Sequence, residues 1–417
     1  MTDQVVFGRR GAVPARALVK PAQVVTEPKT EAPRSRSKLY VETTGMERLL
    51  AGVPMFTVAL AAFLGLVFYI ELRLAFDVGS GGEISRETSL ALGAVSRNLA
   101  LGQGQLWRLG LAPLLHGSNS HLIGNTIALV LIGIQLEPII GRGWFAGIFA
   151  LSAFGGEAGS LFGNAASLPT LGASGAITGV IAAAFAFSFS ADTAEESARM
   201  RRRALFFGVP ALLPLFLAGH DSPIGSTGGT DYYAHLGGAL TGGGVAFVLD
   251  QAWDRVYFRP PLAHFGGFFA LFALGFSLLS AGLASRCYGE YQTQARQFIP
   301  LAAVEGDFAA SANRAPEFEL KYPHDPLTPL FVAVHDLKLQ RVGEAETVLR
   351  AAMEAHTPLR PEAEPQIQGL ARAFLAVVLK AERRSWEARD AAAPLCKPGA
   401  PAKPHEMVAK AKLCDPG

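Results

Sequence analysis

Seven apolar segments run through the chain, separated by polar interruptions and flanked by polar arms at both ends. The first, about 52–76, carries the run from Val53 to Ile70 and closes on Glu71 and Arg73. It is close to the ~20 apolar residues that cross a hydrocarbon core. The others lie at about 121–140, 143–162, 174–190, 204–218, 234–252 and 262–285. Between the first and second, residues 77–120 hold short apolar patches but no uninterrupted span. They are expected to form an outer or partly embedded interfacial loop, where Trp107 beside Arg108 suits the headgroup level. Residues 1–50, rich in Pro, Thr, Lys and Arg, are expected to form a disordered cytoplasmic tail. A cleaved signal peptide is not expected, because a short charged region followed at once by an apolar one is missing. Beyond Arg286 the chain turns polar. Its pattern predicts a helical hairpin over 326–357 and a second pair of helices within about 364–385. One or two such hairpins look like tetratricopeptide units, but an array needs about three or more to be stable.

The pattern predicts an all-α polytopic membrane protein. Residues 51–252 hold six spans, 253–286 a seventh and 287–417 a soluble helical tail. Composition agrees, with 50% hydrophobic and 17% charged residues against about 25% charged in soluble domains. The net charge of +2 says little, but its placement sets orientation. Lys and Arg collect in the N-terminal arm, at Arg199–Arg203 and at Arg255 and Arg259, whereas the loops at about 163–173 and 219–233 have none. The positive-inside rule then puts the N-terminus, a 191–203 loop and a 251–261 loop in the cytoplasm. The tail lies outside, where Cys396 and Cys414 could pair and leave Cys287 over. Basic residues interleaved with aromatics are absent, so no nucleic-acid partner is expected.

Against this apolar background a few polar residues stand out. Ser174 opens the fourth span among small neighbours, Leu171-Gly172-Ala173-Ser174-Gly175-Ala176. Such a patch can be a packing seam between membrane helices, or a nucleophile with room around it. His121 and Asn125 open the second span on one helical face. His235 opens the sixth. Polar groups in a membrane helix are costly and point to function, although interhelical hydrogen bonding alone can account for His121 or Asn125. The fourth and sixth spans run in the same direction, and the fifth only returns the chain, so Ser174 and His235 enter at one face and comparable depth. A fourth span of ~17 residues is ~26 Å long, shorter than the core, which sets Ser174 below the outer surface at the foot of a cavity. Neutral imidazole is the usual base for a serine hydroxyl. Asn125, His121 and the Ser174 N–H could receive an oxyanion. Gly175 and Gly179 facing Gly238 and Gly242 would let the two helices approach, and Gly172 would permit a tight turn. No Asp or Glu follows His235 in the first turns, so a dyad is expected rather than a triad.

Gly172-Ala173-Ser174-Gly175, Ala234-His235-Leu236-Gly237-Gly238, the H-x4-H-x3-N spacing of His116, His121 and Asn125, and the preceding Trp107-Arg108 together resemble the rhomboid family of intramembrane serine proteases. The resemblance covers about residues 50–286. It implies Ser174 as nucleophile, His235 as base, and His121 and Asn125 at the oxyanion site. Arg108 would brace an interfacial loop in which His116 plays a structural part. It also implies cleavage of single-span transmembrane proteins within or next to the lipid bilayer, near its outer leaflet, without metal or cofactor; a bacterial inner (cell) membrane is the expected location. A seventh span after six resembles many secretase-type members. Two departures stand out. Thr178 occupies the position four after the serine, where related bacterial enzymes often carry a ring, so Tyr232 or Tyr233 would have to orient His235. The tail lies outside the family core, with an open role that includes binding a protein partner.

Other classes fit less well. Ala176 breaks the Gly-x-Ser-x-Gly elbow. No His-Glu-x-x-His motif is present. A transporter would show charged residues or broken helices at mid-membrane. The remaining alternative is a non-proteolytic rhomboid-like protein that binds membrane clients. Such relatives typically lack the serine or the histidine, and this chain has both.

Overall fold

The computed structural model describes residues 54–191, 193–217, 230–254, 257, 259–304, 308–354, 364–397 and 399–414. The expected N-terminal tail, most of the 219–233 loop and Arg255 lie outside them. No strand occurs among the described residues, only two isolated bridges. The helices are α1 Met55–Leu74, α2 Arg86–Leu92, α3 Asn119–Gly163, α4 Ser174–Ser188, α5 Ala194–Leu217, α6 Tyr232–Ala252 and α7 Ala263–Ala295. The tail follows with α8 Ala315–Lys321, α9 Thr328–Lys338, α10 Val342–Glu354, α11 Glu364–Ala381, α12 Ser385–Ala392 and α13 Ala402–Lys410.

Helix α3 is two apolar segments in one run. Pro138 removes a helical N–H, and Gly141, at φ 81° and ψ 160°, leaves the helical region, which glycine alone enters without strain. His121 near its start and Asn164 just past its end line one cavity, so the halves run antiparallel. Helices α1, α3 and α7 are long and apolar enough to cross a membrane. Large apolar side chains such as Leu66, Leu240, Phe247, Phe268 and Leu271 stand more than half exposed. An aqueous surface does not hold so many, but lipid contacts suit them. The chain is an integral, polytopic, all-helical membrane protein.

Its core is packed on glycine. A Cβ at Gly242 would lie 2.6 Å from the Gly179 Cα, and one at Gly238 would lie 2.7 Å from the Gly175 carbonyl carbon. One at Gly147 would meet Gly266 of α7 at 2.5 Å. Backbones this close gain dispersion contacts that bulkier side chains would prevent.

Two expectations need correction. The basic run Arg199–Arg203 is not a loop but part of helix α5, which begins at Ala194. Arg, Ala and Met are strong helix formers, and Glu195 and Glu196 in the first turn complement the helix dipole. The segment 364–385 is not a pair of helices: α11 alone runs from 364 to 381, and its partner is α12. The buried face Ile367, Ala371, Leu375 and Leu379 keeps helical spacing throughout. It packs on Leu330, Ala345 and Leu349 of the first hairpin and on Val408 of α13.

Cys396 and Cys414 form a disulfide, with Cα atoms 5.5 Å apart and a sequence separation of 18, while Cys287 is free. Closing a loop of this length restricts the unfolded chain by about 3 kcal/mol. Cys414→Ser is therefore expected to lower the stability of the tail by about 2–4 kcal/mol, read by pulse proteolysis of the full-length chain in urea. An unchanged midpoint would show that helix packing alone fixes this end.

Candidate active site

The interfacial loop is built around Arg108, whose side chain is fully buried. Its guanidinium donates to the carbonyls of Leu90 (2.6 Å) and Ala94 (2.8 Å), to Gln105 Oε1 (2.7 Å) and to the Tyr291 hydroxyl (3.0 Å). A buried guanidinium needs such saturation, because each unpartnered donor would carry its full desolvation cost. The loop is thereby joined to α7. Arg97 closes the end of α3 in the same way, donating to the carbonyls of Leu161 and Asn164.

His116 lies at the foot of this loop, with its N–H on the Glu71 carboxylate at 3.1 Å. Burial first, and then the nearby His121, push its imidazole down to about 3. The ring is neutral at ordinary pH and can accept, so its Nε2, 3.1 Å from Asn125 Nδ2, takes one amide hydrogen of Asn125. The second amide hydrogen stays available.

Helix α4 starts at Ser174 on a turn that only glycine can make. Gly172 has φ +131°, and its N–H donates to the Ala112 carbonyl at 2.8 Å. A Cβ there would meet His121 Cε1 at 2.7 Å and Nε2 at 2.9 Å, and would stand 3.8 Å from Ser174 Oγ. The His121 ring is thus laid over Gly172 beside the serine hydroxyl. Ser174 is the first residue of α4, so its N–H and the next have no intrahelical acceptor.

The two histidines carry opposite tautomers, assigned from their partners. His235 Nδ1 is 2.8 Å from the Ala211 carbonyl, which can only accept, so Nδ1 holds the proton and Nε2 is the lone-pair nitrogen. Nε2 is buried and has no hydrogen-bond partner among the described residues. His121 Nδ1 accepts a long hydrogen bond, 3.5 Å, from the Gly117 N–H, which leaves a proton on Nε2 beside Gly172. One ring presents a base and the other a donor.

Ser174, His235, His121 and Asn125 all line one cavity of about 1610 Å³. Arg108 and His116 do not line it and stand behind it. Gly175 and Gly238 are the contact between α4 and α6. Thr178 turns away, donating to the Ser174 carbonyl at 2.7 Å. The ring beside His235 is Tyr232, edge-on at 5.9 Å. Tyr233 packs instead over Gly163. Asp231 caps α6 by accepting from the Ala234 N–H at 2.9 Å and makes no hydrogen bond to the His235 ring. Sequence reasoning missed Ala211. Helix α5 does more than return the chain, and the available signal was the pair Pro210 and Pro214, which interrupt the helical ladder around it.

A serine at a helix start, an unpartnered imidazole nitrogen and clustered donors thus line one cavity of a helical membrane protein. The rhomboid domain family model matches residues 103–252. The chain is 35% identical over 132 residues to "Rhomboid protease GluP" of Bacillus subtilis (strain 168), covering 32% of this chain and 24% of that protein. It is 30% identical over 193 residues to "RHOMBOID-like protein 1" of Arabidopsis thaliana, covering 46% and 45%. It is 28% identical over 186 residues to "Rhomboid protease AarA" of Providencia stuartii, covering 40% and 64%. The chain thus spans between a quarter and just under two thirds of the length of these relatives. Residues 103–252 are thus similar to the rhomboid domain. No solved structure matches it.

Proposed function

We propose that the chain is an intramembrane serine endopeptidase that cuts single-span membrane proteins by a Ser174–His235 dyad. The observation that carries this reading is the buried, unpartnered Nε2 of His235 in one cavity with Ser174, its proton-bearing Nδ1 fixed on the Ala211 carbonyl. A lone pair so presented has little structural use, since leaving a buried polar atom unsatisfied costs about 1–3 kcal/mol. Two relatives whose names say protease support the same reading.

The reaction follows from the tautomers. Ser174 Oγ attacks the carbonyl carbon of the scissile bond while His235 Nε2 takes its proton. The resulting imidazolium is stabilised by its Nδ1–H bond to Ala211. Negative charge gathers on the former carbonyl oxygen, toward which His121 Nε2–H, the free Asn125 amide hydrogen and the Ser174 N–H donate. Collapse breaks the C–N bond, and the amine leaves with the proton from Nε2. Water then repeats the sequence on the acyl-serine, with His235 again as base, and the hydroxyl of Ser174 is restored.

Helices α1, the two halves of α3, and α4 to α7 make the seven spans of this reading, with the Ser174 end outside. The disulfide of the tail supports that orientation, since such bonds persist in oxidising compartments. A fluorophosphonate probe on the detergent-solubilised chain tests the nucleophile without a substrate. The expected product is a single adduct that peptide mass mapping assigns to Ser174. An adduct elsewhere, or none, would remove the dyad.

A further inference from the structure

The cavity over Ser174 is not built by the membrane core alone. Its far side is lined by Arg296, Phe298, Leu301, Val304, Tyr322 and Leu327, all from the tail. One continuous space therefore runs from the dyad to the first turns of the tail, and at about 1610 Å³ it exceeds the ~300–1,000 Å³ of small-molecule sites. The size suits a length of polypeptide rather than one side chain.

This wall is fixed. The Leu301 N–H donates to the Asp77 carboxylate of the interfacial loop. The Tyr288 hydroxyl donates to the Leu74 carbonyl at 2.5 Å, and Tyr291 is held by Arg108. Above these, the buried Asp325 accepts from the N–H groups of Ile299 (2.8 Å) and Leu327 (2.7 Å), locking the turn-rich link after α7 to the start of α9. Rigid elements of this kind bind an extended chain without a further ordering cost. The half-exposed faces of Val304, Tyr322 and Leu327 offer apolar contacts beside the polar Arg296.

We propose that the tail is the second wall of the substrate cleft, and that its occupant is the extended stretch of substrate just outside the membrane, on the tail side of the cut bond. The proposal rests on the protease reading and assigns the tail a part in choosing substrates. A substrate flank with apolar side chains packs against Val304, Tyr322 and Leu327 while its membrane segment enters the core.

The test uses the full-length chain in proteoliposomes and two single-span model polypeptides with one membrane segment. One stops at the segment's outer end, and the other continues for about ten residues, ~33 Å when extended. The native chain is expected to cleave the flanked polypeptide with a kcat/KM about tenfold higher or more. Val304→Trp, which fills the cleft, and Tyr322→Ala, which removes part of the wall, should erase that advantage. Cleavage of the unflanked polypeptide and fluorophosphonate labelling of Ser174 should stay unchanged, which also shows that the variants fold. As an independent reading, a benzophenone amino acid at the exposed position 296 of the Ser174→Ala chain should cross-link to the flank. Equal cleavage of both polypeptides by the native chain, parallel loss on both in the variants, or cross-links only to the membrane segment or to a second copy of this chain would overturn the wall and leave the protease reading standing. Cleavage of neither polypeptide, with no label on Ser174, would overturn both.

Discussion

Replacing Ser174 by Ala is expected to lower cleavage of a single-span polypeptide by a factor on the order of 10⁶, and His235→Ala by nearly as much. In the proposed dyad the two groups act as a unit: an alanine at 174 leaves nothing to attack, and an alanine at 235 leaves the hydroxyl protonated. The double variant should therefore be no slower than either single one. No hydrogen bond among the described residues joins Ser174 Oγ to His235 Nε2, so Ser174→Ala should retain the native unfolding midpoint, whereas His235→Ala also gives up the Nδ1–H bond to the Ala211 carbonyl and should lower it somewhat. Asn125→Ala removes only one oxyanion donor and should cost about 10²–10³ in rate. Proteoliposome cleavage followed on gels measures all four. Cleavage that persists in both single variants would eliminate the dyad and favour the client-binding alternative.

The residues of this site were legible in sequence because membrane helices are monotonous. In a run such as Ile177–Phe187 a polar residue stands out, and Ser174, His235, His121 and Asn125 each open such a run. Their approach was legible too, since Gly175, Gly179, Gly238 and Gly242 recur at helical spacing on the two helices that carry Ser174 and His235. The acceptor for His235 was not legible. It is a backbone carbonyl, which every residue possesses, and only the interruption of α5 by Pro210 and Pro214 marks where one could be spared. Nor was the choice of Tyr232 over its neighbour, which turns on the side of α6 that each ring takes.

The misreading of Arg199–Arg203 has a different cause. Charge reports which side of a membrane a segment occupies, and it does not distinguish a loop from a helix that continues past the lipid. The tail's place over the cavity was hidden for a further reason. The bonds that set it join residues some 180 to 225 positions apart, Arg108 to Tyr291 and Asp77 to Leu301. Periodicity within a helix carries no information about such pairs. Asp77 in the sequence is an unremarked acid in a mixed loop, and Tyr291 is an aromatic in a polar stretch of α7. Once α7 extends through Ala295, however, the tail must begin beside the interfacial loop, and the shared cavity follows from that continuation.

The glycine seam makes the second large effect. Gly238→Ala is expected to lower kcat by about 10²-fold or more and to destabilise the membrane core by about 1–3 kcal/mol. The added Cβ would fall 2.7 Å from the Gly175 carbonyl carbon, with the carbonyl oxygen nearer still. Both are backbone atoms of α4, so no side chain can swing aside, and the helices must separate. Gly175 follows Ser174, and Gly238 lies three residues after His235, so the same separation opens the distance across which the proton passes in the proposed dyad. Catalysis depends steeply on that distance. Gly244, on the same helix, provides the control: a Cβ there meets nothing within 4 Å. Gly244→Ala should leave both cleavage and unfolding close to native values, measured by proteoliposome turnover and by denaturation in dodecyl sulfate. Native turnover in Gly238→Ala would show that α4 and α6 can part without moving Ser174 from His235, and the close packing would then serve stability alone.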